Sequence, residues 1–140
     1  MSKFPKVKDP KLIGTYDALS KSGGGYVWDD VLEYRVWVHP LIEDPDTEES
    51  EDFYYVFETY EEALEVSEST VGAEEPLALI LQEEYIDESK DGIYIHVKEH
   101  RITEWPVEFL SRPRRTELTI PEFLSPNAPK NRLEILRGQA

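Results

Sequence analysis

Arg35 and His39 stand four residues apart in a segment of alternating apolar residues, so an extended backbone sends both off one face. Leu32, Tyr34, Val36 and Val38 share one side of that segment, and Glu33, Arg35, Trp37 and His39 the other. His96 sits in a second alternating segment, with Tyr94 and Lys98, on the face opposite Ile93, Ile95 and Val97. An imidazole titrates near neutrality and can act as base, acid or ligand. If the sheet sets these two strands near each other, Arg35, His39, His96 and a carboxylate form one cluster. The plainer alternative is that Arg35 pairs with Glu33 or a cross-strand acid and that His39 caps a strand end.

The run Gly23-Gly24-Gly25 could cradle a phosphate through its backbone amides. It lacks the strand and helix context of GxGxxG and the GxxxxGK[ST] spacing, and Asp29 and Asp30 follow it, which would repel an anion. Two other uses stand open: a flexible connector, or a flap that lays Tyr26 and Trp28 over a pocket. Trp28, Trp37 and Trp105 are candidate interface anchors, because Trp is enriched at binding hot spots; the commoner fate of each is the core.

Other chemistries find no residues. The chain has no Cys, which excludes disulfides and thiolate metal sites. GxSxG and HExxH are absent, so neither a nucleophile elbow nor a zinc helix is present. The acidic run Glu43 to Asp52 alternates acids at Asp44, Asp46 and Glu48, but the turn glycine of a calcium loop is missing and Tyr55 holds the place of its bidentate Glu. No metal is expected.

The elements that must position these residues follow from period and punctuation. Val31 to His39 reads as a half-buried strand stopped near Pro40, and Phe53 to Phe57 as an aromatic strand pairing back on it across the acidic loop. Thr59 with Glu62 predicts a capped helix from Tyr60 to Val71, ending before Gly72. Leu77 to Gln82 is apolar enough for a strand covered on both faces, continued by Glu83 to Ile86. Asp87 to Gly92 reads as a turn, Ile93 to Val97 as a strand with its isoleucines inward, and Arg101 to Trp105 as a fifth short strand. Pro106 starts a short helix through Leu110. Thr119 with Glu122 suggests a helical turn at Ile120 to Leu124, and Asn127 a helix from Pro129 to Arg137, with Leu133 and Leu136 inward and Gly138 as its stop. The fold class expected is α+β: a ββαββ antiparallel sheet of four to five strands, one main helix packed on it, and a C-terminal helical arm. We expect a single domain over 1–140, with a flexible arm and glycine loop at 1–25, the core at 26–110 and a Pro-rich basic arm at 111–140.

Charge narrows the partners. The chain carries 30 Asp and Glu against 15 Lys and Arg, a net of −15, and the excess lies between Leu12 and Leu110. An acidic body repels nucleic-acid backbones and anionic lipid. The basic stretch Arg112-Pro113-Arg114-Arg115 could touch an anion locally, or lie on the acidic body. There is no secretory signal and no apolar run long enough for a bilayer, so the expected location is the cytoplasm and no membrane partner is expected.

Four stretches carry a resemblance: Gly23 to Tyr26 with Asp30 to Pro40, Phe57 to Ala63, Ala73 to Leu79, and Ile102 to Pro106. They resemble a family of small, acidic, uncharacterised bacterial proteins that often bear a GNAT-type acetyltransferase label. That label implies acetyl-CoA and an amine acceptor. The [QR]xxGx[GA] loop that would bind CoA is absent here, so the resemblance carries over no catalytic residue. The first functional expectation is a non-enzymatic module that binds a protein or small ligand through the glycine loop and the aromatic, Arg- and His-bearing sheet face. The second is an acyltransferase or other small-molecule enzyme with His39 or His96 as base and acetyl-CoA as cofactor. A third is a homodimer held by the C-terminal arm.

Overall fold

The computed structural model describes residues 3–18, 21–22, 25–39 and 52–139. Gly23, Gly24, Pro40 and the acidic run from Glu43 to Glu51 lie outside them. The order is β1 (Lys21–Ser22), β2 (Asp30–Val38), β3 (Phe53–Phe57), α1 (Tyr60–Ser69), β4 (Leu77–Gln82), β5 (Tyr85–Lys90), β6 (Ile93–Val97), β7 (Arg101–Pro106), α2 (Thr119–Leu124) and α3 (Arg132–Leu136), with 3-10 turns at Pro10–Leu12 and Val107–Ser111. This is a mixed α+β chain, as the patterning predicts. None of its described helices is long and apolar enough to cross a membrane. Two compact units form from interleaved stretches: Met1–Tyr16 with Val31–Leu79, and Asp17–Asp30 with Ile80–Ala140.

In the first unit the strand order is β4-β2-β3, with β2 and β3 antiparallel from Tyr34 opposite Phe57 to Val38 opposite Phe53. The expected half-exposed β2 is instead buried along both faces. Its polar side closes because Glu33 and Arg35 neutralise each other: both are fully buried, Arg35 Nε donates to Glu33 Oε2 at 2.7 Å, and the Gly14 amide donates to Glu33 Oε1. A buried carboxylate and guanidinium stay charged only with such partners. The N-terminal stretch docks here. Val7 is buried, its amide donates to the Glu58 carbonyl, and Phe4 packs edge-on against Tyr60. Thr59 caps α1 as expected: its Oγ1 accepts from the Glu62 amide and donates to the Glu62 carboxylate. The helix stops at Ser69, two residues early, which leaves Val71 outside the apolar row and 76% exposed. Gly72 then turns the chain at φ +84°, where a Cβ would overlap the His39 carbonyl.

In the second unit β1 runs parallel to β7, and β5 and β6 form a separate antiparallel hairpin. The turn expected over Asp87 to Gly92 is only its last two residues, because Asp87 to Lys90 pair with β6 as strand. The faces of β6 are also the reverse of expectation: Ile93 and Ile95 are about half exposed while Tyr94 packs inward. The C-terminal arm explains this. Val27, Ile86, Ile120, Phe123 and Leu136 make one core cluster, and Phe123 of α2 meets the Tyr94 ring edge-on at 5.0 Å, so the arm covers the tyrosine side. α3 begins at Arg132 and not at Pro129, with Asn131 before it in place of Asn127. Its end matches the expected glycine stop. Gly138 has φ +71°, its amide donates to the Ile135 carbonyl, and the Gln139 amide reaches back to Glu134, a pair of bonds that locks the last turn.

Candidate functional site

The residues singled out from sequence meet different fates. In the first unit Arg35 is taken by Glu33, as in the plainer reading above, and its guanidinium lies over the Tyr54 ring at 4.7 Å. Trp37 packs on Tyr54. His39 is held between two carboxylates, Nδ1 to Asp52 at 2.8 Å and Nε2 to Glu74 at 3.3 Å. Hydrogen bonding to Asp52, then to Glu74, raises its pKa above the ordinary histidine value. In the second unit His96 Nε2 meets the Glu84 carboxylate at 2.9 Å. Neither cavity described below is lined by Arg35, His39 or His96.

The glycine loop leads elsewhere. Gly25 has φ +75°, and a Cβ there would stand 2.3 Å from Gln82 Nε2 and 2.5 Å from Arg101 Nη2. Gln82 cannot yield freely, because it donates to the Val27 carbonyl and accepts from Arg101 Nε. The close approach fixes where the chain leaves the loop. Tyr26 follows at φ 59°, a left-handed conformation that a tyrosine adopts only at a cost. That turn aims its ring at Tyr94 and Arg137 and its hydroxyl at Glu88.

Tyr26, Trp105, Phe109, Arg112 and Arg137 line a cavity of about 270 Å³. Trp105 ends β7 and is buried; Phe109 sits in the 3-10 turn that follows, its ring edge-on to the indole at 5.9 Å. Arg112 closes that turn, its guanidinium 3.9 Å from the Phe109 centroid and 5.6 Å from that of Trp105. Arg137 caps α3 and lies 5.7 Å from the Tyr26 centroid. Stacking uses the flat face of a guanidinium and leaves its in-plane N–H donors for another partner.

The remaining arginines have such partners. Arg35 donates to Glu33, Arg101 to Gln82, Arg114 to Asp30, Arg115 to Asp29 and Glu84, and Arg132 to the Phe123 carbonyl. Among the described residues the guanidiniums of Arg112 and Arg137 make no hydrogen bond and no ion pair. Burial, and then the like charge of Arg137, hold Arg112 below the usual arginine range, against a smaller opposing pull from Glu108. Glu88, the acid near Arg137, accepts instead from the Gly92 amide and the Tyr26 hydroxyl. The indole Nε1 of Trp105 is a further buried donor without a partner.

Trp28 is set back from the cavity and positions it. It is buried, its Nε1 donates to the Arg112 carbonyl at 3.0 Å, and its own carbonyl accepts from the Arg115 amide. The basic stretch 112–115 is thereby divided: Arg114 and Arg115 turn onto Asp29, Asp30, Glu83 and Glu84, and Arg112 is left facing the cavity. Of the residues lining this cavity, Tyr26, Trp105 and, within the basic stretch, Arg112 were singled out from sequence, and Phe109 and Arg137 were not. No local spacing marks Phe109 or Arg137, because they meet Tyr26 only when separate stretches pack together.

A second cleft, about 240 Å³, runs along α2 and α3 between Phe123, Pro129, Ile135 and Leu136. No group of three or more His, Asp or Glu among the described residues could hold a metal ion. No family model, no curated protein and no solved structure matches this chain.

Proposed function

We propose that the protein is a binding module for a small organic anion, seated in the cavity of Tyr26, Trp105, Phe109, Arg112 and Arg137. One observation carries the reading: two guanidiniums that make no hydrogen bond or ion pair among the described residues line a single aromatic-walled cavity, in a chain with twice as many acids as bases. Two like charges held together, one of them partly buried, cost folding free energy that nearby carboxylates could have relieved. An anion that enters recovers that energy and gains charge-assisted hydrogen bonds. The volume lies just below the range of roughly 300–1,000 Å³ usual for drug-sized ligands, which suits a ligand of one ring and one charged head.

Titration with small carboxylates and phosphates, followed by tryptophan fluorescence, tests this, since Trp105 is in the wall. Saturable quenching that Arg112→Met and Arg137→Met each weaken is expected. Equal response to neutral, cationic and anionic ligands would sink the reading. Acetyl-CoA belongs in the same series: micromolar binding lost in both variants would transfer the cavity to the acyltransferase reading.

A further inference from the structure

We infer that the anion is an aryl phosphate, a doubly charged phosphomonoester carried on a single flat ring. The inference rests on the anion-binding reading of the cavity and names its ligand class. Three observations carry it.

The first is valence. A monoanion that satisfies one guanidinium leaves the other facing an uncompensated neighbour. A dianionic head answers both, and its three terminal oxygens accept from two planar forks at once; a carboxylate offers two oxygens, which a single fork can occupy.

The second is polarity. The polar groups of the wall that have no hydrogen-bond partner among the described residues are donors, the N–H edges of Arg112 and Arg137. The Tyr26 hydroxyl is already directed to Glu88. A head group with acceptors alone fits such a wall, and a protonated phosphate or an amide fits it less well.

The third is shape. The rings of Tyr26 and Phe109 supply flat apolar surface beside the cations, with the buried Trp105 packed against Phe109, and aromatic rings take a flat ring in stacked or edge-on contact. A cavity of about 270 Å³ holds the volume of about nine waters at about 30 Å³ each, the scale of a ring with one phosphate.

The test is calorimetric titration of the full chain with phenyl phosphate, benzoate, inorganic phosphate and benzyl alcohol at low salt. Phenyl phosphate is expected to bind at least about tenfold more tightly than any other arm, the return for charge-assisted hydrogen bonds made by both guanidiniums. Its affinity should climb between about pH 5 and 7, as a phosphomonoester loses its second proton near pH 6. The charged residues lining the cavity are Arg112 and Arg137, with Glu108 and Glu88 near them, and no histidine lines the wall. Arg112→Lys and Arg137→Lys keep the charge and lose the fork, and should each weaken phenyl phosphate by about tenfold while circular dichroism stays native. Benzoate binding as tightly as phenyl phosphate would overturn the dianion and leave the anion reading standing. Inorganic phosphate binding as tightly would overturn the ring. No binding in any anionic arm overturns both this inference and the proposed function.

Discussion

The Trp28 indole donates its Nε1 hydrogen to the carbonyl of Arg112, so a buried ring from the stretch after the glycine loop holds the backbone of a cavity arginine. Trp28→Phe keeps the apolar ring and loses that bond. The variant should be less stable by about 1 kcal/mol, the usual worth of one hydrogen bond, and should bind phenyl phosphate less tightly because Arg112 is no longer held. Urea unfolding and calorimetry on the same preparation check both effects. Unchanged affinity would mean that the bond does not position Arg112.

Gly25→Ala should be far more damaging than its single methyl suggests. Left-handed backbone costs an alanine about 1–2 kcal/mol, and the new Cβ would displace Gln82 or Arg101, which are bonded to each other and, through Gln82, to Val27. A loss of about 2–3 kcal/mol is expected, adding about 1 kcal/mol for each bond broken. A urea midpoint within error of the parent would show that this close approach can relax.

His39 makes stability depend on pH. Its pKa is raised, first by the hydrogen bond to Asp52 and then by that to Glu74, so the protonated form is favoured in the folded state. The contribution is therefore complete below the ordinary histidine value of about 6.5, and it is lost as pH rises through the raised folded value. The ring is half exposed, so the effect is small and screened by salt. The parent should lose its melting-temperature advantage over His39→Gln as pH is raised from 6 to about 8, a neutral histidine keeping only ordinary hydrogen bonds. A difference that stays constant across that range would exclude the ion pairs in solution.

Local features were well marked in the residues. Thr59 and Glu62 announce the start of α1, Gly138 the end of α3, alternation the course of β2 and an aromatic run that of β3, because each of these is decided within a few residues. The faces were less legible. Alternation says which side chains share a side and not which side becomes covered: Ile93 and Ile95 lost the inward place to Tyr94 because the arm brings Phe123 there, and the polar side of β2 closed because Glu33 found Arg35. The cavity was least legible. Tyr26, Trp105, Phe109, Arg112 and Arg137 come from three separated stretches, and which arginines are left without a hydrogen-bond partner is decided only when those stretches meet.

The interleaving of the two units bears on how the chain is made. Once Leu79 has emerged from a ribosome, every residue of the first unit is available, and Asp17–Asp30 must be set aside as a loop. That loop, with Gly25, Tyr26 and Trp28 in it, waits for its partners Gln82, Ile86 and Arg112, all of which come after Leu79. Arg137 is the last of the cavity's lining residues to be made. Domains generally form as units during synthesis, N-terminal part first, and a stop before Arg137 would leave the cavity without one of its two arginines.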